Sequence, residues 1–226
     1  MRVTVPHEWP HSVDEAAAIQ ERLRPLVRAA DLGTGPIRTV AGLDVSYAEG
    51  SDRLAAAVVV LDADTLAVVE QVVAFGEAVF PYVPGLFAFR ELPPLVEALE
   101  MLTTLPDLVV CDGQGVAHPR RFGLACHVGV VTGLPSIGIG KTAMNPFEAP
   151  GQERGASSPL VDNGEEVGRV LRTQDGIRPV FVSVGHGLDL AEACAWTLRL
   201  SPRYRLAEPI RLADHLGRQA LRAPTS

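Results

Sequence analysis

The chain has 226 residues, 47% hydrophobic and 21% charged, with a formal net charge of −7, so it is long enough to bury a full core as one domain over residues 1–226. Its longest apolar runs, such as Leu54 to Leu61, fall short of the roughly 18 residues a membrane span needs, and the opening MRVTVPHEWPHSVDE lacks an apolar signal region. Three cysteines (Cys111, Cys126, Cys194) fit no zinc or disulfide spacing, and the acidic balance argues against a protein that coats nucleic acid non-specifically; a soluble, cytoplasmic protein is expected.

Residues 12–30 read as an amphipathic helix with Ser12 as cap and Asp14 and Glu15 in its first turn. Strand-like runs follow at Thr39 to Tyr47, Leu54 to Leu61 and Ala67 to Phe75, the last two separated by the turn signal DADT. A helix is predicted over Pro84 to Leu102, with a kink or break at Pro93-Pro94. Asp107 to Cys111 is a short buried strand, residues 121–132 are helix-like, and Pro135 to Ile139 is a strand. The Gly/Ser/Pro-rich stretch 149–164 reads as a loop before strands near 166–172 and 179–184. Helices at Asp189 to Leu200 and Ile210 to Leu221 close the chain, leaving a disordered tail at about 222–226. The order β-β-β-α-β-α-β, with three antiparallel strands first, indicates an α/β fold of ribonuclease-H-like type, a mixed sheet flanked by helices.

The acids carry the chemistry. Asp44 interrupts the apolar run AGLDVSY, and Asp112 ends VVCDG. A carboxylate on a buried strand is costly unless it is paired or binds a cation. Glu91, in FRE, belongs to the helix between them. Three carboxylates from separate elements suit a hard cation such as Mg2+, with Mn2+ able to substitute. Two of them have a plainer reading: Asp44 bonded to a turn, Glu91 paired with Arg90 or another arginine. The neighbours DGQGVAHPRRFG weigh against it, since the glycines open the backbone beside Asp112, and His118, Arg120 and Arg121 offer proton-transferring or cationic groups to a phosphate. Only one of the 20 basic residues is lysine, Lys141. In the loop Pro81-Tyr82-Val83-Pro84-Gly85, two prolines stiffen one tyrosine, a shape suited to wedging into a base stack, although a core tyrosine in a proline turn is the alternative.

Read together, GLDVSY, PYVPGLFAFRE, DGQGVAHPRRFGLACHVGV, GIGK, RVLRTQDGIRPVFVSVGH and YRLAEPIRLAD resemble the endonuclease V family over roughly residues 12–216. The resemblance implies that Asp44 and Asp112 bind the catalytic metal and that Glu91 completes the cluster. It implies Tyr82 as the wedge, Lys141 and His118 near the reacting phosphate, and Asp214 as an auxiliary acid, a place His215 competes for. Gly85, Gly113 and Leu124 would line a pocket for flipped hypoxanthine. The implied reaction is DNA repair: cleavage of the second phosphodiester bond 3′ to deoxyinosine, leaving 3′-hydroxyl and 5′-phosphate ends. The expected partner is inosine-containing nucleic acid, DNA rather than RNA, met by a monomer without membrane contact. Val184 and the continuation TAMN after Lys141 depart from the family pattern.

Other readings are an inosine-specific endoribonuclease and a non-catalytic binding protein of the same fold, which loss of an acid would favour. PSIGIGKT nearly spells a phosphate-binding loop, but Pro135 stands where its first glycine is required.

Overall fold

The computed structural model describes residues 1–30, 33, 35–144 and 146–223. The first helix, α1 (Val13–Leu23), is shorter than the predicted 12–30, because Arg24-Pro25-Leu26 tightens into a 3-10 turn after which the chain is extended. Ser12 caps it as expected, its hydroxyl accepting from the Glu15 N–H at 3.2 Å.

The next three runs form β1 (Thr39–Tyr47), β2 (Arg53–Asp62) and β3 (Val68–Glu77), paired as two antiparallel hairpins. Helix α2 (Ala88–Met101) then runs unbroken through Pro93 and Pro94. The two prolines each forfeit one backbone bond, and buried Leu92, Leu95 and Leu99 pin the helix to the sheet. Next come β4 (Leu108–Cys111), α3 (Leu124–Thr132) and β5 (Ser136–Gly140).

The stretch read as a loop contains β6 (Ser157–Asp162), an edge strand that pairs with β7 (Glu165–Leu171) across Asn163-Gly164, both at positive φ (53° and 79°). Pro159 is tolerated because the strand is at the sheet edge. Strand β8 (Val180–His186) and helices α4 (Leu190–Arg199) and α5 (Glu208–Arg222) complete the chain. The predicted tail therefore begins inside α5 at Arg222, and its residues 224–226 lie outside the described residues.

The eight strands among the described residues belong to one sheet, ordered β3-β2-β1-β4-β5-β8-β7-β6. Strands β1, β4 and β5 run parallel, and the β1 and β5 contacts with β2 and β8 are antiparallel. Side-chain alternation then builds two cores. Ala41, Leu43, Ala56, Val58 and Val109 meet α2 and α3 on one face. Val40, Val110, Ile137, Ile139 and Val182 meet α4 and α5 on the other.

One close approach sets the geometry of the site. A Cβ on Gly42 would lie 2.1 Å from the carbonyl carbon of Pro209, so only glycine lets the start of α5 rest directly on β1.

Candidate active site

Leu43 and Cys111 are the last parallel pair of β1 and β4, so Asp44, still within β1, and Asp112, just past the end of β4, follow on neighbouring strands. Asp44 shares its sheet face with Gly42 and Ser46, the face on which α5 lies, and this brings Asp214 of α5 into the same cleft. Tyr47 projects to the opposite face and donates its hydroxyl to Glu91 Oε1 of α2 at 3.3 Å. Asp44, Glu91, Asp112 and Asp214 line one cavity of about 680 Å3 with Lys141 and Arg218. A larger cavity, about 790 Å3, lies beside His7, Trp9 and Arg22 and includes none of these acids.

The cleft holds more negative charge than its own cations offset. Burial, then the charges of Asp112 and Asp214, push the Asp44 carboxyl up to about 7. Burial, then Asp44, push Glu91 up to about 8. Lys141 ion-pairs with Asp112. Burial opposes the charge on its ammonium, but the hydrogen bond to Asp112 and the nearby Asp44 and Asp214 raise its pKa nonetheless. Asp214 pairs with Arg218 at 2.8 Å.

Among the described residues, no group of three or more His, Cys, Asp or Glu side chains is placed to hold a metal ion by itself. The predicted carboxylates thus share a cleft without closing as a cage, and Lys141 occupies an oxygen of Asp112. The donors are nevertheless hard oxygens short of positive charge. Mg2+ commonly uses one or two carboxylates and completes its shell with water and substrate phosphate, so the residues present fit such an ion.

Asp214 lines the cleft and His215 does not. Pro81, Tyr82 and Pro84 are exposed, Tyr82 at 74%, which removes the core-tyrosine alternative. Gly85 turns this loop at φ +79°, and a Cβ there would press on His118 and Arg120. Gly113 lies between Phe87 and Leu124, where a Cβ would come 3.2 Å from the Phe87 ring; Phe87 also lines the acidic cleft.

Three expected site residues have protein partners outside the acidic cleft. His118 is buried: Nε2 donates to the Gly85 carbonyl at 2.8 Å, and Nδ1 accepts from the Arg120 N–H at 3.1 Å. Burial pulls its pKa down to about 4, so it is neutral and both ring nitrogens are occupied. Arg120 bonds Gln20 at 2.5 Å and the Gly85 carbonyl at 2.9 Å. Arg121 is tied to Asp162 at 2.7 Å and Glu165 at 3.0 Å. These groups brace the Tyr82 loop and the β6–β7 hairpin, and none lines the acidic cleft.

Tyr47, Phe87 and Arg218 were not singled out from sequence. Strand alternation puts Tyr47 on the face opposite Asp44, and only α2 crossing that face brings it to Glu91. Arg218 was detectable as the i+4 partner of Asp214.

The model of the family described as endonuclease V matches residues 21–215. The chain belongs to the endonuclease V family. The Streptomyces avermitilis endonuclease V is 53% identical, with 99% of each chain covered. Its crystal structure superposes with a TM-score of 0.90 over 98% of both chains. The Bacillus subtilis structure superposes at 0.91 with 34% identity and 97% of each chain covered. A Ciona intestinalis endonuclease V, solved with a 24mer DNA containing an inosine followed by a ribo-adenosine, is 24% identical with a TM-score of 0.82, covering 92% of this chain and 97% of that one. The ribonuclease-H-like fold expected from the element order is shared with the endonuclease V structures, and the chain is a nuclease of that family.

Proposed function

We propose that the chain is a metal-dependent endonuclease of DNA repair that recognises deoxyinosine and hydrolyses the second phosphodiester bond on its 3′ side, leaving 3′-hydroxyl and 5′-phosphate ends. The observation that carries this reading is the cleft beside Asp44 of β1 and the end of β4, where five carboxylates (Asp44, Glu49, Glu91, Asp112 and Asp214) face Lys141, Arg218 and Arg222. Asp44, Asp112 and Glu91 would hold Mg2+, or Mn2+ in its place, with Asp214 auxiliary. When bound, such an ion supplies positive charge to the phosphate and acidifies water.

The chain's own groups supply the rest. Lys141 places its ammonium beside Asp112, where it neutralises charge on the scissile phosphate. Tyr47 holds the Glu91 carboxylate in orientation. Tyr82 has the exposure a wedge requires, and the contacts of His118 and Arg120 with Gly85 hold its loop rigid. Gly113, Phe87 and Leu124 would form the pocket for the extruded base, with Phe87 at the edge of the acidic cleft. The Ciona relative's inosine-containing DNA supports the choice of substrate.

One continuous sheet supports a single domain over residues 1–226. Among the described residues no helix is long and apolar enough to cross a membrane. The three free thiols suit the reducing cytoplasm.

The deciding experiment incubates the protein with Mg2+ and matched inosine-containing single-stranded DNA, duplex DNA and RNA. Cleavage one nucleotide beyond the lesion in DNA is expected. Equal cutting of undamaged controls would overturn the lesion specificity, and preference for the RNA strand would make the chain an endoribonuclease.

A further inference from the structure

Beyond Lys141, on the side away from the acids, lies a second cavity of about 600 Å3. Its lining includes Lys141, Arg178 and Arg205 together with Phe147 and Phe181, and no acid. In a chain of net charge −7, three cations around one apolar groove are a local reversal of sign. Lys141 lines both cavities, so the groove is continuous with the candidate active site.

The groups are built into the fold in different ways. Phe181, on β8, is buried and supports the ring of Phe147 edge to face at 4.9 Å, leaving Phe147 45% exposed. Arg205, in the connection from α4 to α5, is braced: its guanidinium donates to the carbonyls of Lys141 and Pro179, each at 2.8 Å. Arg178 lines the same cavity, and burial and then the charge of Arg178 lower the pKa of Arg205. Arg178 is exposed just before β8, and its side chain has no acidic partner among the described residues. The backbone after Lys141, from Thr142 to Met144, adds no charge of its own.

An exposed ring on a rigid support and two guanidinium groups lining the same groove are the two parts of a site for single-stranded nucleic acid: a face for a base and charge for a phosphate. We propose that this groove seats a nucleotide of the cleaved strand flanking the scissile bond, its base on Phe147 and its phosphate on Arg178 and Arg205. The inference rests on the nuclease reading above for the identity of the strand, but it assigns a subsite outside the catalytic cleft. Recognition there is independent of sequence, because every base has a stacking face.

The test uses the full chain and two sets of DNA. With inosine-containing strands lengthened one nucleotide at a time on either side of the lesion, the wild type should show a step in KM when one added nucleotide reaches the groove. Phe147→Ala should remove that step, about tenfold in KM, with any loss in kcat smaller. An abasic nucleotide at that position should reproduce the effect on the wild type. Arg178→Ala should lower the salt slope of log K for an undamaged single strand, measured by anisotropy in EDTA, by about 0.7. The double variant should bind that strand at least tenfold more weakly than the wild type.

A length profile and anisotropy curve that both variants leave intact would overturn the groove. Absence of inosine-directed cleavage by the wild type, with groove-dependent binding retained, would overturn the proposed reaction and leave the groove standing. Circular dichroism of each variant separates these outcomes from misfolding, since both side chains are surface groups.

Discussion

Asp44 and Asp112 each follow the last paired residue of two parallel neighbouring strands, so the hydrogen-bond register of β1 and β4 itself sets the carboxylates side by side. Their proximity costs stability until a cation arrives. The folded Asp44 carboxyl, near 7, sits above its unfolded value of about 4, so the folded state retains a proton that the unfolded state has released. Without metal, stability should fall as pH rises from about 4 to 7, and Glu91 extends the decline towards 8. The charged groups facing Asp44 are Asp112, Asp214, Lys141 and Arg218. Asp44→Asn should remove its share of the slope, raise the melting temperature at pH 8 in EDTA and lower cleavage at least about 100-fold. Thermal melts of both proteins at pH 5.5 and 8 decide this; identical slopes would refute it.

Lys141 is the cation that touches Asp112. Lys141→Ala should slow single-turnover cleavage by roughly 10- to 100-fold at saturating substrate, with a smaller change in binding. Lys141→Arg should rescue only poorly, because a planar guanidinium replaces a compact ammonium. Undiminished single-turnover rates in Lys141→Ala would remove it from the chemistry.

Tyr47→Phe deletes one hydroxyl and its 3.3 Å bond to Glu91 while keeping the ring beneath Arg90, whose guanidinium carbon lies 5.0 Å from the ring centre. The variant should need about tenfold more Mg2+ for half-maximal cleavage, as expected when a group orienting a ligand is lost. Calorimetric titration with Mg2+ in the absence of DNA should show the same loss of affinity. Unaltered Mg2+ affinity would make Tyr47 merely a packing residue.

Much of this site was legible because its parts are local. Asp44 stands out as a charge interrupting an apolar run, Asp112 as one ending a run, and Tyr82 as an aromatic ring between prolines. The β6 strand was missed because Gly, Ser and Pro dominate 149–164, although Asn163-Gly164 is itself a hairpin signal. Other features depend on tertiary approach. Nothing in the immediate sequence says that Gly42 must admit Pro209, that Tyr47 will meet α2, or that the HPRR run turns inward to brace a loop. A histidine beside two arginines looks the same in sequence whether it faces a phosphate or a carbonyl.

Tyr82 is 74% exposed, so its removal should leave the fold nearly untouched while weakening recognition. Tyr82→Ala should change the free energy of unfolding by no more than about 0.5 kcal/mol. Its affinity for inosine-containing DNA should fall several-fold, with a lesser effect on cleavage at saturation. Equal affinity of variant and wild type for the lesion strand would count against the wedge.

His118 supplies the opposite contrast, a residue whose loss acts through structure. Its ring bridges the Gly85 carbonyl and the Arg120 N–H, and its pKa near 4 keeps it neutral throughout the physiological range. His118→Ala removes a buried ring and leaves the Arg120 N–H without its acceptor, while the Gly85 carbonyl keeps Arg120 and Gln20, which should cost about 2–4 kcal/mol in denaturant unfolding. The sign with pH follows from the lowered value. Below its unfolded pKa of about 6.5 the unfolded state gains a proton that the folded state refuses, so His118 makes the wild type less stable as pH falls from about 6.5 to 4. His118→Ala should therefore be worst near neutrality and lose part of its deficit at pH 4.5. Between pH 6 and 8 the shape of its cleavage profile should match the wild type, because no proton is exchanged there by this ring. A missing ionisation near 6.5 in the profile of the variant would instead return His118 to the reacting phosphate.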